Sequence, residues 1–290
     1  MPTRRLAAVV GTALITVLSA AGGCSAPAPS RVTLAQVAVE TVLSVPLGSD
    51  PQALGVDMPE GAEHRIPGAY TVTKDAVLIL DTLKCRVAEF RGTKMARAVA
   101  VRGLSEGRSL AVDGAGDWYV YDAVGDVVIA LSPSGQVKST CRVSDEIWQR
   151  GVPLLRPNGS GEVVLTVGTD EYENELLGMT LLGYDRQGRL LAIACDPSRT
   201  RKLVVFALET DGRVIQAYLD MAGFEDYSEM PLLLGADGEL YRLGFNREEA
   251  VLQRLQLQLP GRHIHSRGRP QTSRRPWTSG RGIPAVIRRT

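Results

Sequence analysis

The sequence predicts an all-β fold, a β-propeller of four-stranded antiparallel blades. Three observations predict it. One pattern is written twice, long amphipathic helices are missing, and turns ending on Gly recur between short apolar runs as far as residue 257. The first copy runs Ala76-Val77-Leu78-Ile79-Leu80-Asp81, then a polar turn, then Val87-Ala88-Glu89-Phe90. The second runs Asp117-Trp118-Tyr119-Val120-Tyr121-Asp122, a turn through Gly125-Asp126, then Val128-Ile129-Ala130-Leu131. The two aspartates, Asp81 and Asp122, lie 41 positions apart. β-Branched and aromatic runs joined by short polar turns are strand hairpins, and self-similarity at about 40–45 residues marks propeller blades.

Each element has a local reason. Residues 33–47 alternate loosely through Val37, Val39, Val42 and Val45, and could close a ring against the C-terminal blade. Residues 49–68 are a Pro-, Gly- and acid-rich loop, after which Ala69-Tyr70-Thr71-Val72-Thr73 alternates as an inner strand. Residues 95–101 follow the first copied hairpin as an outer strand, 109–112 lead into the second, and 136–143 leave it. Strands are also expected at 162–167, 189–195, 203–208, 213–219, 239–243 and 250–257, and Gly161, Gly188, Gly212 and Gly238 end the turns before four of them. Hairpin and bulge turns need positive φ, which Gly adopts freely. Residues 144–149 and 220–227 could form one or two helical turns. The count comes to about five blades, compatible with an incomplete six-bladed ring.

Composition divides the chain in four: a signal segment 1–24, a tether 25–31, a propeller domain 32–258 and a tail 259–290. The formal net charge of +1 hides an uneven distribution. Arg4 and Arg5 stand at the front and eight arginines lie from Arg262 onward, whereas all 32 acidic residues fall between Glu40 and Glu249. The domain is therefore acidic. That argues against nucleic acid, which rewards basic faces, and is otherwise a solubility feature. The tail, with no acid and many Arg, Ser, Gly and Pro, lacks the apolar surface to fold. It is either a basic arm for anionic surfaces or the product of a late reading-frame error.

At the N-terminus, Arg4-Arg5 precede an uncharged apolar core, 6–18, and a small-residue end, Ser19-Ala20-Ala21-Gly22-Gly23-Cys24. A basic start, a short apolar core and small residues make an export signal, too short for a spanning helix. Gly22-Gly23-Cys24 resembles the lipobox of bacterial lipoproteins, with Ala21 where that motif has Leu. The resemblance implies that Cys24 is lipidated and anchors the domain at the extracytoplasmic face of the cell membrane. Residues 25–30, Ser-Ala-Pro-Ala-Pro-Ser, suit a tether. An ordinary signal peptide cleaved near Ala20 and a twin-arginine signal are the alternatives.

The phrase Leu78 to Phe90, with its Asp81-Thr82, Arg86-Val87 and final Phe90, resembles the NHL-repeat propellers, which are of six-bladed type. The resemblance covers this blade well; the second keeps Asp122 but has Val127 in place of the Arg. It implies an architectural role for Asp81, Arg86, Asp122 and, by the same grammar, Asp196: the Asp bonds turn amides and the Arg pairs nearby. The family holds enzymes, receptor ectodomains and scaffolds, so it does not choose among them.

Chemistry-bearing clusters are sparse. Of three histidines, His64 lies in the domain and His263 and His265 in the tail, which leaves no multi-histidine metal site in the core. Cys85, Cys141 and Cys195 show no CxxC spacing and no preferred pairing. Asp170, Glu171, Glu173 and Glu175 form the one acidic run able to attract a hard cation, although a solvated loop explains it as well. Glu225-Asp226 is a carboxylate pair whose adjacent members point apart. Trp118 and Val120 face one side of their strand, Tyr119 and Tyr121 the other, as blade-to-blade packing requires. No motif calls for a cofactor and no catalytic residue stands out. The expectation is a monomeric binding or scaffold module at the cell surface, with the membrane and an unidentified protein or small molecule as partners. The alternatives are an exported hydrolase or lyase with a carboxylate or Ca²⁺ site near the axis, and a truncated, inactive propeller.

Overall fold

The computed structural model describes residues 32–57, 65–144, 152–157, 161–168, 179–195, 202–220, 224, 226–259 and 285–286. The protein is a β-propeller, and among the described residues there is no helix. The chain opens on β1 (Val32–Pro46). β2 (Ala69–Val72), β3 (Val77–Asp81), β4 (Arg86–Arg91) and β5 (Lys94–Ala100) pair in sequence order as blade 1. β6 (Gly107–Val112), β7 (Trp118–Asp122), β8 (Val127–Leu131) and β9 (Val137–Arg142) pair likewise as blade 2. β10 (Val152–Pro157) and β11 (Val163–Gly168) are the consecutive strands described for blade 3. β12 (Met179–Tyr184), β13 (Leu190–Cys195), β14 (Lys202–Leu208) and β15 (Val214–Asp220) are blade 4. β16 (Asp226–Leu234), β17 (Leu240–Phe245) and β18 (Glu249–Gln258) belong to blade 5, and β1 is its fourth strand.

Burial follows position in the blade. β3 and β8 are runs of apolar residues with no alternation, because neighbouring blades cover both faces. β9, an outermost strand, is exposed along its length. Apolar clusters then weld one blade to the next. Leu80, Val87, Leu110, Trp118 and Val120 join blades 1 and 2. Tyr121, Val128, Leu155 and Leu165 join blades 2 and 3. Val205, Leu219, Leu232 and Leu255 join blades 4 and 5. Tyr70, Ile79 and Phe90 of blade 1 pack with Leu43, Leu243 and Phe245 of blade 5. Among the described residues no such cluster joins blades 3 and 4.

The turns share one design. At 113–117 the Asp113 amide donates to the Asp117 carbonyl (3.0 Å) and the Gly116 amide to the Asp113 carbonyl (3.0 Å), with Gly116 at φ 86°. This is a tight turn closed by a left-handed glycine bulge. The same pair of bonds recurs at 132–136, 185–189, 209–213 and 235–239. Because consecutive strands are antiparallel, all these loops fall at one end of the blades. The β3–β4 and β7–β8 hairpins and the blade-to-blade connections fall at the other.

The ring is tied by its own N-terminal strand. β1 pairs antiparallel with β18 from Gln36 to Pro46, and its first four residues run parallel to β15. The outer edges of blades 4 and 5 are thereby both covered. In the region expected to hold helical turns, Asp220 ends β15 and Asp226 and Tyr227 begin β16, where pairing with β17 prevails over local preference. Of the tail, Ala285–Val286 forms β19 on the open edge of β11. A strand there was not expected from composition; among the described residues the far edge of β11 has no other partner, and β19 pairs with it.

Candidate functional site

Two places gather polar chemistry. The first is the hairpin end of blades 1 and 2. Asp81 is fully buried. Its Oδ1 accepts from the amides of Gly55 (3.1 Å) and Lys84 (3.3 Å), and its Oδ2 from Arg86 Nε (2.9 Å). Arg86 also donates to the carbonyls of Pro51 (2.7 Å) and Ala53 (2.5 Å). Lys84 Nζ donates to those of Asp50 (2.6 Å) and Ala53 (2.8 Å). Burial and then the Arg86 guanidinium pull the Lys84 pKa below its ordinary value. Two cations thus clamp loop 50–55 to the hairpin through its backbone carbonyls, while Arg86 Nε is held by Asp81.

Asp122 occupies the matching place in blade 2. It accepts from the amides of Ser105 (3.0 Å), Glu106 (2.5 Å) and Gly125 (3.1 Å). Cys85 and Asp126, also 41 positions apart, are the two non-glycine residues at positive φ (48° and 51°) among the described residues. Each offers its carbonyl to the chain leaving the blade, at Val101 (2.8 Å) and Val143 (2.7 Å). The geometry of this end is that of a turn staple.

Inside the walls, charges are neutralised in pairs. Lys138 caps buried Asp117, and Arg189 pairs with Asp185 at 2.6 Å. Glu89, buried on β4, accepts from Arg91 (2.9 Å) and Arg97 (2.6 Å), and Arg97 lies over the Trp118 ring at 5.0 Å. Burial raises the Glu89 pKa, but the bonds to Arg97 and Arg91 outweigh it, and the net shift is below the ordinary 4.5. A carboxylate depressed in the folded state adds stability above its unfolded pKa and loses it as pH falls through the folded value. Wild type should therefore exceed Glu89→Gln in denaturation midpoint by its full margin above about pH 4.5, and the margin should shrink toward pH 3. A margin constant from pH 7 to pH 3 would count against this account.

The second place is the junction of blades 3 and 4. Leu155 packs toward blade 2, so its neighbours on β10, Leu154 and Arg156, face blade 4. Arg156 Nη1 donates to the Leu181 carbonyl of β12 at 2.6 Å. Burial lowers the Arg156 pKa from its ordinary value. On β12 a bulge between Leu181 and Gly183 puts Leu181 and Tyr184 in register with Ala192 and Leu190. They therefore share the face of Ala192, Val204 and Phe206, a cluster confined to blade 4. That face is buried at its middle strands, yet Leu181 and Tyr184 are 45% and 68% exposed. A charged fork beside an aromatic and an aliphatic side chain can hold an anion that carries an apolar body.

The remaining expected residues are placed as follows. Cys24, Asp170, Glu171, Glu173, Glu175, Asp196, Glu225 and the three histidines lie outside the described residues. No group of three or more His, Cys, Asp or Glu is arranged for a metal among the described residues. Cys85 and Cys141 are free and exposed. Trp118 and Val120 pack toward blade 1, and Tyr121 toward blade 3. Sequence reasoning missed Lys84 and Arg156. The signal for Arg156 was available: it is the lone charge in the run Val152-Pro153-Leu154-Leu155-Arg156-Pro157.

No family model matches the chain, and comparison with curated proteins finds no match. Solved structures of similar fold include a streptogramin B lyase, at 7% identity and TM-score 0.44, covering 77% of this chain and 98% of that one. A catalytically inactive virginiamycin B lyase from Staphylococcus aureus follows at 5% identity and TM-score 0.42, covering 75% of this chain and 99% of that one. A member of the DUF4221 family from Bacteroides vulgatus stands at 9% and 0.45, covering 77% and 99%. At such values no residue role passes from them to this chain.

Proposed function

We propose that the chain is an exported, lipid-anchored β-propeller that acts as a binding or scaffold module at the cell surface, as a monomer. The observation that supports this most is the sequence from Arg4 to Ser30: a basic start, an apolar core, Gly22-Gly23-Cys24 and a Pro-rich tether that runs directly into β1. β1 is an outer strand of blade 5, so an anchor at Cys24 would join the domain at its rim and leave both ends of the blades clear. Several acyl chains on one residue hold a protein stably, whereas one chain holds it marginally. Metabolic labelling with a radioactive fatty acid tests the anchor. Label should enter the wild type and be absent from Cys24→Ser, which should also leave the membrane fraction. Equal labelling of the two, or none in the wild type, would remove the anchor.

A further inference from the structure

We propose that the junction of blades 3 and 4 is a ligand site for a carboxylate attached to an apolar or aromatic body, with Arg156 gripping the carboxylate and Leu181 and Tyr184 carrying the body. The inference deepens the binding role proposed above by naming a ligand class. It does not depend on the anchor at Cys24.

The starting observation is an imbalance of charge. Asp81, Glu89, Asp117 and Asp185 each have a cation in direct contact, and buried Asp122 is held by three backbone amides. Among the described residues Arg156 has no carboxylate in contact: its guanidinium makes one hydrogen bond, from Nη1 to a backbone carbonyl. Asp185, the acid that follows β12, is committed to Arg189. A guanidinium has five N–H donors in a rigid fork, and with Nη1 turned to Leu181 the Nε–Nη2 edge has no partner among the described residues. That edge is the one that takes the two oxygens of a carboxylate side by side. Half-buried charge with donors unused is costly, and an anion relieves the cost.

The second observation is where the charge sits. β10 and β12 are the first strands of blades 3 and 4, which places Arg156 and Leu181 toward the axis. Every other described junction is filled by a shared apolar cluster; among the described residues this one has no such cluster, and the Arg156 bond crosses it. The blade 4 face is covered at Ala192, Val204 and Phe206 but open at Leu181 and Tyr184. Its buried polar group, Gln216, donates through Nε2 to the Tyr218 hydroxyl at 2.8 Å. Specificity therefore rests on one charged fork and two apolar contacts, a pattern usual in small-molecule sites.

Isothermal titration of the purified full chain with 4-phenylbutyrate, 4-phenylbutan-1-ol, acetate and inorganic phosphate tests the proposal. 4-Phenylbutyrate should bind. The alcohol, which lacks the charge, and acetate, which lacks the body, should bind about ten- to a hundredfold more weakly. Arg156→Met should abolish the preference for acid over alcohol, and Arg156→Lys, which keeps charge without the fork, should fall between. Should Arg156→Met fail to fold, Tyr184→Ser on an exposed side chain carries the test, with the preference for 4-phenylbutyrate over acetate expected to collapse. Silence with 4-phenylbutyrate, equal binding of the alcohol, phosphate binding as tight as the arylalkyl acid, or unchanged binding in Arg156→Met or Tyr184→Ser would each overturn the site. None of these touches the fatty-acid label at Cys24, so the two readings fail separately.

Discussion

Asp81→Ala is expected to destabilise the protein by about 3–5 kcal/mol, the usual cost of removing one member of a buried ion pair. The Asp81 carboxylate is wholly enclosed and has three partners, two amides and Arg86 Nε. Alanine leaves those amides unpaired and strands a guanidinium that is 11% exposed. Arg86 and Lys84 would still hold loop 50–55 through its carbonyls, so the damage should spread by way of the β3–β4 hairpin. Asp122→Ala is the internal control. It has the same place in blade 2 but Val127 where blade 1 has Arg86, so only amide bonds are lost. Its cost should be nearer 1–3 kcal/mol. Denaturant titration reads both as shifts of midpoint at unchanged slope. In Asp81→Ala/Arg86→Ala the loss should be smaller than the sum of the single losses, because the second change removes the stranded charge. Equal costs for Asp81→Ala and Asp122→Ala would sink the account.

The contrast between the two aspartates also shows what a sequence can disclose. The 41-residue offset, the hairpins and the glycine-closed turns are local facts, settled by side chains within a few residues of one another, and they could be read directly. So could the two-sided packing around β7, because alternation assigns faces without any partner being known. The loop that Arg86 and Lys84 hold lies more than thirty positions away. Composition marks it only as Pro-, Gly- and acid-rich.

Blade 3 was the hardest to foresee. Its strands carry Pro153 and Pro157, which resemble loop punctuation, and its partner β19 comes from the far end of the chain. Pro is tolerated in β10 because an inner strand pairs on one side alone, with β11. The isolation of Arg156 belongs to the same class. A lone arginine in an apolar run is visible, but the lack of an acid across the junction depends on which strand stands opposite.

Gly68→Ala should be the most damaging of the small substitutions. Gly68 precedes β2 and donates its amide to the Leu80 carbonyl at 3.1 Å. A Cβ there would stand 1.8 Å from the Gly107 carbonyl oxygen, at the start of β6. Gly107 cannot retreat: a Cβ at its own position would meet Leu80 Cδ2 at 2.5 Å, and its carbonyl accepts from Thr82 Oγ1 at 3.2 Å. The obstacle is backbone on both sides, so blades 1 and 2 must separate where their first strands meet. Separation opens the cluster of Leu80, Leu110 and Trp118. Overpacking commonly costs about 1–3 kcal/mol, and a clash with fixed backbone belongs at the upper end or above it. For a domain of this size about 3 kcal/mol lowers the melting temperature by roughly 6–12 °C. Gly103→Ala is the comparison. Gly103 has φ 81° and nothing within 4 Å of its would-be Cβ, so only left-handed strain of about 1–2 kcal/mol is added. A melting temperature for Gly68→Ala at or above that of Gly103→Ala would show that the two blades are not in backbone contact at the axis.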